Sequence, residues 1–456
     1  MIPLRPYQAD MIDRARVALR GGCRRLVIQG ATGMGKTCLI AHMLASASAR
    51  GKRAWFIVHR RELVRQSVAM FKAAADLRVG VIAAGYEPDP SALVQVCSVQ
   101  SLARRLARVA PPDLLVYDEC HHICASTWGH IAKTFPETPQ IGLSATPQRL
   151  DSRGLGEYFD ELIVGPPIGT LIDGGYLAPT VVYAPPSPAD LAGLRVRAGD
   201  YATDETAARM DKPHITGDAI AHYRRLCDRE PAICFTVTLA HAEHVAAQFR
   251  DAGYRAQRID GGHSDDERAA LITALGTGGL DVLVSCELIG EGIDIPIVAA
   301  AILLRPTASL TIHLQQVGRA MRPAPGKTRA IILDHVGNTG RHGLPDEPRE
   351  WSLEGRKRKA GSTEGAVAMR QCQACFCCHR PAPVCPECGY RYPILDRRPD
   401  VVAGELVPVV ARVPLKHDLR RARTREDLEA IARARGYARG WVQHILRARH
   451  SKEARA

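Results

Sequence analysis

Short apolar runs alternate with helix-length amphipathic segments along the first third of the chain. After Arg24 the apolar runs read LVIQ, WFIVH, LVQVCS, LLVYDE and QIGLSA, and helices are predicted from Thr37 to about Ser48 and from Arg61. Apolar strands that alternate with helices are typical of a parallel α/β sheet. We therefore expect a first α/β lobe over residues 1–165.

The alternation lapses and then returns. Residues 166–214 contain the loop-like sequence APPSPADLAG and are interpreted as a linker with some helix. A second α/β lobe is predicted over 215–340, with apolar runs AICFTV, RAQRID, DVLVSC, VAAAILL and RAIILD. Only the first lobe carries a phosphate loop, so the active site is expected in the cleft between the lobes. Residues 341–369 lose the pattern again and are interpreted as a second linker.

The length of the chain indicates more than one domain, and its charge is unevenly distributed. At 456 residues the chain is too long for one hydrophobic core, and 46% hydrophobic with 24% charged residues is ordinary globular composition. The formal net charge is +13, and residues 411–456 hold thirteen Lys and Arg against five Asp and Glu. Such an excess is typical of a polyanion partner, with a merely soluble basic surface as the alternative.

The N-terminal sequence MIPLRPYQADMIDRAR contains acids and no apolar core, which argues against a signal peptide. The longest apolar run, Ile295 to Leu304, is much shorter than the roughly 20 residues of a membrane-spanning helix. These features predict a cytoplasmic protein without a membrane partner. Six of the fourteen cysteines fall between Cys372 and Cys388, which favours metal binding over disulfides.

The sequence GATGMGKT at residues 30–37 matches the pattern G-x-x-x-x-G-K-[ST] between a predicted strand and a predicted helix. Glycines at 30, 33 and 35 would let backbone N–H groups surround phosphate oxygens at a helix N-terminus. Lys36 would reach the β- and γ-phosphates of a nucleotide, and Thr37 would bind Mg²⁺. The motif in this setting predicts a nucleotide-binding site.

The apolar run LLVY is followed directly by Asp118 and Glu119. A parallel strand delivers such residues to its carboxyl edge, where ligands bind in open α/β sheets. Asp118 could hold Mg²⁺ while Glu119 orients and deprotonates the attacking water, because the metal and the nucleophile need separate carboxylates.

The sequence QQVGRAMR at 315–322 supplies two cations in the second lobe. Arg319 and Arg322 are three residues apart, so in a helix they share a face and could both point into the cleft. Cations at that place would stabilise charge on the γ-phosphate during phosphoryl transfer. Two solvated helix arginines are the alternative interpretation.

Together these residues resemble the DEAD/DEAH-box motors of helicase superfamily 2. Eight blocks match in order over about 320 residues: LRPYQ, GATGMGKT, VHRREL, SVQSL, DECH, SATP, ELIGEGIDIP and QQVGRAMR. The resemblance implies two RecA-like lobes around an ATP-binding cleft and an ATPase coupled to nucleic acid.

The resemblance also implies roles for single residues. Residues assigned to nucleotide binding are Tyr7, Gln8, Gly30, Thr32, Gly33, Gly35, Lys36, Thr37, Asp118, Gly292 and Asp294. Within that set Gln8 would read adenine with Tyr7 packed on the base, and Asp294 would bind the ribose where Gly292 allows a close approach. Residues assigned to catalysis are Lys36, Glu119, Gln315, Arg319 and Arg322, the arginines serving as fingers from the second lobe.

Two further blocks imply coupling to nucleic acid. His59 and Arg60 fall where relatives touch the nucleic-acid backbone, and Ser144 and Thr146 match the motif that links hydrolysis to strand movement. The box reads DECH, which resembles the DEAH-like, restriction-enzyme-like and RadD-type branches more than the RNA DEAD-box branch. This resemblance favours DNA over RNA. The SATPQRLDSRGLGEYFD stretch, the cysteine cluster and the closing GY..GW segment are most similar to RadD-type DNA-repair helicases and their phage-encoded relatives.

Two C-x-x-C pairs lie nine residues apart in QCQACFCCHRPAPVCPECGY. This spacing predicts a structural zinc ribbon over 370–392, and its four ligands would be Cys372, Cys375, Cys385 and Cys388. Neighbouring Cys377, Cys378 and His379 complicate the ligand choice, and an iron–sulfur cluster is the alternative.

A basic helical tail is predicted over 393–456. Thr424 and Asp427 resemble a capping box, and Gly436 separates two amphipathic segments. The tail could contact DNA or a partner, or it could be a solvated cap.

The leading hypothesis is an ATP-dependent motor that translocates on or unwinds DNA in repair, recombination or phage replication, with Mg²⁺ and Zn²⁺ as cofactors. Single-stranded, forked or branched DNA and a single-strand-binding or replication protein are the expected partners. The alternatives are an ATP-regulated DNA-structure-binding accessory protein and an RNA helicase.

Overall fold

The computed structural model of the protein divides into two compact units, Met1–Tyr392 and Pro393–Ala456. The residues that the structure describes are 2–149, 153–184, 193–197, 199–210, 213–286, 298–354, 369–393, 419, 421–438 and 440–453. The larger unit contains two α/β lobes, as expected from the alternating pattern.

The first lobe is built on a seven-stranded parallel sheet in the order β3-β4-β2-β5-β6-β1-β7. Its strands are β1 Arg25–Gln29, β2 Ala54–Val58, β3 Val79–Ile82, β4 Val94–Ser98, β5 Leu114–Tyr117, β6 Gln140–Ser144 and β7 Glu161–Val164. The central strands are buried throughout because helices cover both faces of the sheet.

The helices of this lobe are α1 Pro6–Arg20, α2 Lys36–Ser48, α3 Arg61–Ala75, α4 Val99–Ala103 and α5 Ser126–Thr134, with short 3₁₀ helices at Leu106–Arg108 and Cys120–Cys124. Phe56 and Phe71 pack edge to face on one side of the sheet, in a core shared with α1 and α2. Trp55 and Trp128 belong to the core on the other side, beneath α4 and α5.

The second lobe is built on an eight-stranded sheet in the order β12-β13-β11-β14-β15-β8-β17-β16. The strands of this sheet are β8 Thr180–Tyr183, β11 Ala232–Phe235, β12 Ala256–Ile259, β13 Val282–Ser285, β14 Ala300–Leu303, β15 Ala330–Asp334, β16 Arg370–Gln371 and β17 Cys377–His379. Strands β9 Val196–Arg197 and β10 Asp200–Tyr201 form a separate two-stranded ribbon. The helices are α6 Ile168–Asp173, α7 Thr203–Met210, α8 Pro213–Cys227, α9 Leu239–Asp251, α10 Asp265–Gly276, α11 Leu310–Ala320 and α12 Asn338–His342.

The second sheet begins inside the stretch that the sequence assigned to a linker. Strand β8 pairs in parallel with β15, although it lies between Pro179 and the loop-like segment. Its four residues, TVVY, are short and isolated from the alternating pattern, so their pairing partner decides their structure.

The cysteine-rich segment extends the same sheet. Strand β17 pairs antiparallel with β8, placing Cys377 opposite Tyr183, and β16 pairs with β17. The segment predicted as a separate ribbon therefore covers the edge of β8, which would otherwise present unpaired backbone groups.

The chain that follows α12 returns to the first lobe, in the stretch predicted as a second linker. The Leu353 carbonyl accepts a hydrogen bond from the Gly156 backbone N–H at 2.9 Å. Trp351 also packs against the core that contains α1 and α2. The described part of this stretch is thus a strap between the two lobes.

The smaller unit contains helices α13 Arg425–Arg435 and α14 Trp441–Glu453. The predicted capping box is present: the Asp427 N–H donates to the Thr424 hydroxyl, and the Asp427 carboxylate accepts from the Thr424 N–H. Gly436 ends α13 in the left-handed conformation at φ 69°. No helix in the described part of the chain combines the length and the apolar character that a membrane span requires.

Candidate active site

The phosphate loop connects β1 to α2, and α2 begins at Lys36. Gly35 has φ 88°, in the left-handed region that favours glycine, and an added Cβ there would lie 2.7 Å from Gln8 Nε2. The loop thus needs glycine at this position both for its turn and for its packing against α1.

Lys36 is partly buried at the start of α2, and its ammonium donates to the Gly30 carbonyl at 2.9 Å. Burial lowers the pKa of Lys36, and the charges of Glu119 and Asp118 oppose that shift. The lysine is therefore held over the loop, beside the two carboxylates.

Asp118 and Glu119 follow β5 at its carboxyl edge. Burial, with the charge of Glu119 next, raises the pKa of Asp118 to about 6. Glu119 has φ 48° and ψ 55°, a left-handed conformation that is costly for a residue with a side chain. Two adjacent, partly buried acids in a strained turn are typical of a functional site, because bound cations offset their repulsion.

His121 lies between the acid pair and the Ser-Ala-Thr segment. Its Nδ1 lies 3.3 Å from a Glu119 carboxylate oxygen and 3.4 Å from Ser144 Oγ. The Ser144 hydroxyl donates to the Thr146 carbonyl at 2.8 Å, and Thr146 in turn donates to Thr311 of α11. A chain of contacts thus runs from Glu119 to the second lobe.

Helix α11 supplies the residues of the second lobe. Gln315 and Arg319 are 3% and 4% exposed. The helix ends at Ala320, so Arg322 lies in the turn before Pro323 and not in the helix with Arg319. Both arginines nevertheless line one cleft.

This cleft collects side chains from both lobes. Its polar lining includes Thr32, Lys36, Thr37, Asp118, Glu119, Gln315, Arg319 and Arg322. The lobes meet tightly here, since an added Cβ on Gly318 would lie 2.6 Å from Thr32 Cβ. Gln315 Nε2 is buried with no hydrogen-bond partner among the described residues, as expected of a group that awaits a ligand. The donor set fits a magnesium nucleotide.

The two residues expected to recognise adenine both contact the phosphate loop. The Gln8 amide donates to the Met34 and Gly35 carbonyls, each at 3.1 Å, and the Tyr7 hydroxyl donates to the Met34 carbonyl at 2.7 Å. Arg5 extends this group, because its guanidinium donates to the Tyr7 hydroxyl at 2.9 Å.

Several predicted residues lie elsewhere. Gly292 and Asp294 fall outside the described residues. His59 and Arg60 connect β2 to α3, and the His59 ring centroid lies 4.9 Å from that of His122. The residue after the DECH box thus joins the acid pair to the block predicted to touch nucleic acid.

The four cysteines of the two C-x-x-C pairs converge, with their sulfur atoms within 4.8 Å of one another. Cys372 Sγ lies 3.6 Å from Cys388 Sγ, and Cys375 Sγ lies 3.8 Å from Cys385 Sγ. A tetrahedral site with Zn–S bonds of about 2.3 Å has sulfur separations of about 3.8 Å, so this donor set fits zinc.

The neighbouring candidate ligands have other contacts. Cys377, Cys378 and His379 form β17. His379 Nε2 lies 2.8 Å from the Tyr392 hydroxyl, and its Nδ1 lies 2.6 Å from the Arg380 carbonyl.

Thr311 and Lys327 contact residues that position the site, and neither was predicted from the sequence. Thr311 receives the hydrogen bond from Thr146, and the Lys327 ammonium binds carbonyls at the end of α11. A lone threonine or lysine gives no local signal for such contacts, although both residues flank the QQVGRAMR block.

Two protein-family models match the chain. The model described as "Type III restriction enzyme, res subunit" matches residues 1–149. The model described as "Helicase conserved C-terminal domain" matches residues 218–324. The two matches cover the phosphate loop, the acid pair and the arginines described above.

Individual proteins resemble a larger share of the chain. A 51.5 kDa protein of a Lactococcus phage is 33% identical over 374 residues, which are 81% of this chain and 79% of the phage protein. A Saccharomyces cerevisiae protein named as an ATP-dependent helicase, IRC3, is 29% identical over 354 residues, which are 73% of this chain and 51% of the yeast protein. The chain thus spans about half the length of the yeast relative.

Solved structures share the fold. A fragment named as an HsdR subunit of a type I restriction enzyme from Vibrio vulnificus is 25% identical, with a TM-score of 0.58. The similarity covers 75% of this chain and 66% of the fragment.

Proposed function

Because the chain belongs to helicase superfamily 2 and hydrolyses ATP as those helicases do, we propose that it is a motor that translocates on or unwinds DNA. The observation that carries the proposal is the cleft in which Lys36, Asp118 and Glu119 face Arg319 and Arg322 of the other lobe. Hydrolysis in such a site depends on the approach of the lobes, so the chemistry can drive their relative movement.

In the first lobe, Lys36 and the backbone N–H groups of residues 30–37 bind the phosphates. Thr37 and Asp118 would hold Mg²⁺, which would neutralise phosphate charge when bound. Glu119 orients the attacking water and accepts its proton, since its carboxylate adjoins the metal-binding one.

In the second lobe, Arg319 and Arg322 stabilise the charge that develops on the γ-phosphate, and Gln315 helps to position the reacting groups. Arginine fingers contribute on the order of 10³–10⁵ in rate.

Gln8 and Tyr7 hold the loop and the adenine, and Gly292 and Asp294 bind the ribose. His59 and Arg60 contact the DNA backbone.

DNA is proposed as the nucleic acid that the motor acts on, for two reasons. Subunits of type I restriction enzymes are among the similar proteins, at 25% identity over 72% of this chain in one case. The C-terminal unit also carries a dense basic charge, which suits a polyanion. Repair, recombination or phage replication is the proposed setting, and a single-strand-binding protein is a proposed partner.

ATP turnover with saturating DNA tests the catalytic assignment. Lys36→Ala and Glu119→Gln are expected to reduce turnover by at least about 10³-fold, because they remove phosphate binding and water activation. The matched controls are Lys52→Ala and Glu137→Gln, whose side chains are 59% and 84% exposed. Wild-type turnover in either active-site variant would refute the assignment.

ATP turnover measured with single-stranded DNA, duplex DNA, forked DNA and RNA tests which nucleic acid the motor acts on. Stronger stimulation of ATP turnover by DNA than by RNA supports the proposal. Preferential stimulation by RNA would instead identify an RNA helicase.

The density of basic residues in the C-terminal unit favours one second candidate, an accessory protein that binds DNA structures and uses ATP only for regulation. A variant that ends at Tyr392 discriminates, because the larger unit ends there. The motor hypothesis predicts that ATP turnover survives with weaker DNA coupling. The accessory hypothesis predicts that selective DNA binding is lost.

We also propose that Cys372, Cys375, Cys385 and Cys388 bind one structural zinc ion. Their sulfur spacing supports this metal, and β17 ties the bound segment to the sheet of the second lobe. A small segment with little apolar surface gains stability from such a site.

A further inference from the structure

Three consecutive backbone carbonyls accept hydrogen bonds where α11 ends and the turn that carries Arg322 begins. The Met321 carbonyl accepts from the Ala178 N–H at 2.7 Å. The Ala320 and Arg322 carbonyls both accept from the Lys327 ammonium, the latter at 2.7 Å. The end of the arginine-bearing helix is thus fastened from two sides.

Lys327 has a third acceptor at another place in the lobe. Its ammonium donates to the Val298 carbonyl, just before β14, at 2.6 Å. An ammonium group has three N–H donors, so the contacts use its whole capacity. The last carbonyls of a helix lack intrahelical partners and carry partial negative charge, which makes a cation their favoured cap.

The chain folds back to allow these contacts. Gly326 adopts φ 77°, and the Lys327 N–H donates to the Ala324 carbonyl at 3.1 Å. The lysine side chain then lies beneath the turn, outside the cleft lined by Arg319 and Arg322. Lys327 therefore reaches the reaction only through the backbone that it binds.

We propose that Lys327 is a positioning residue for the arginine fingers: its ammonium fixes residues 320–322 against the base of β14 and thereby sets the directions of Arg319 and Arg322. This inference rests on the proposed role of the two arginines. Loss of the Lys327 ammonium should therefore lower ATP turnover but change ATP binding little, since the phosphates are bound by the first lobe.

The charge of Lys327 is itself sensitive to pH. Burial, aided by the charge of Arg322, lowers the pKa of Lys327 to about 8, and the Glu230 carboxylate opposes the shift. As pH rises through about 8, the ammonium loses its proton and with it the charge that caps the helix. Turnover of the wild-type protein is expected to fall over the same range.

The test measures kcat and KM for ATP from pH 6.5 to pH 9.5 with saturating DNA, on the full chain. Lys327→Met keeps the length of the side chain and removes the charge. Its kcat at pH 7 is expected to fall by about 10- to 100-fold, with KM changed less than about threefold, because small displacements of catalytic groups cost that much. Lys327→Arg keeps a permanent charge and is expected to recover part of kcat and to lose the decline near pH 8.

Lys52→Met, at an exposed lysine of the first lobe, is the matched control and should behave like the wild type. Wild-type kcat and an unchanged pH profile in Lys327→Met would overturn the inference, as would a loss of kcat matched by an equal rise in KM. If Lys327→Met does not fold, the wild-type and Lys327→Arg profiles decide, and an identical decline in both overturns it.

Arg319→Ala separates this inference from the proposed function. If Arg319→Ala abolishes turnover while Lys327→Met does not affect it, only the role of Lys327 fails. If Arg319→Ala keeps full turnover, the arginine-finger assignment fails and the role of Lys327 fails with it.

Discussion

The Thr146 hydroxyl donates a hydrogen bond to the Thr311 hydroxyl across 2.8 Å, and both side chains are buried. Thr146 belongs to the first lobe, and Thr311 lies in α11, two turns before Arg319. The segment predicted to link hydrolysis to strand movement therefore contacts the helix that carries an arginine finger.

Removing either hydroxyl is expected to weaken the coupling of ATP turnover to DNA. Thr311→Val keeps the shape of the side chain and leaves a buried hydroxyl without its acceptor, at a cost of about 1–3 kcal/mol. DNA-stimulated turnover should fall several-fold, with KM for ATP nearly unchanged. Thr311→Ser, which keeps the hydroxyl, is the control, and additive effects in the Thr146→Val, Thr311→Val double mutant would contradict a direct coupling.

Gln8 is expected to act on the phosphate loop as well as on adenine, because its amide donates to the Met34 and Gly35 carbonyls. Gln8→Ala should raise the Kd of ATP by about tenfold, given about 0.5–1.5 kcal/mol for each lost hydrogen bond. The same substitution should also weaken the binding of inorganic tripolyphosphate, a ligand that has no base. Unchanged tripolyphosphate affinity would limit Gln8 to base recognition, and Tyr7→Phe measures the separate contribution of the Tyr7 hydroxyl.

The nucleotide site could be predicted because its signals are local. Eight consecutive residues contain the phosphate loop, and two adjacent acids end a strand, so the covalent order of the chain brings Lys36, Asp118 and Glu119 to one sheet edge. The spacing of Arg319 and Arg322 predicted that both could point into the cleft, and the resemblance to a family gave them the role of fingers. No local pattern specifies how the two lobes pack.

What the sequence could not predict depends on distant partners. Strand β8 consists of four residues in a loop-rich stretch, and its conformation follows from pairing with β15, about 150 residues later. The contact between Thr146 and Thr311 spans 165 positions. Arg322 was expected to share a helix with Arg319, but Pro323 cannot continue a helix and disfavours helical geometry in the residue before it.

Loss of the metal is expected to destabilise the second lobe and not only the cysteine segment. Strand β17 covers the edge of β8, Tyr183 donates to Glu387 at 3.0 Å, and Arg329 pairs with Glu387 at 2.7 Å. Chelation or Cys385→Ser should lower the melting temperature by about 5 °C or more, for a loss of a few kcal/mol in a lobe of this size.

Metal analysis provides the check on that prediction. One zinc per chain is expected in the wild type, and Cys23→Ser, far from the cluster in sequence, should keep both the metal and the melting temperature. Iron with inorganic sulfide in place of zinc would favour the iron–sulfur alternative. An unchanged melting temperature after complete metal loss would contradict the structural role.

Acid is expected to destabilise the second lobe through His335. Burial, with the charge of His222 next, lowers the pKa of His335 to about 3, and the two rings lie 5.2 Å apart. The unfolded chain, with a histidine pKa near 6.5, takes up the proton first. The contribution of His335 to stability is therefore present above pH 6.5 and is lost as pH falls toward 3, by roughly 2 kcal/mol between pH 7 and pH 5.

His335→Gln removes this titration, so its free energy of unfolding in urea should fall less between pH 7 and pH 5 than that of the wild type. Burial also lowers the pKa of His313 and His342, so acid sensitivity is expected to be reduced but not abolished. His244→Gln, at an exposed histidine of α9, should keep the wild-type difference. An equal loss of stability in wild type and His335→Gln would show that His335 already binds its proton in the folded protein at pH 5.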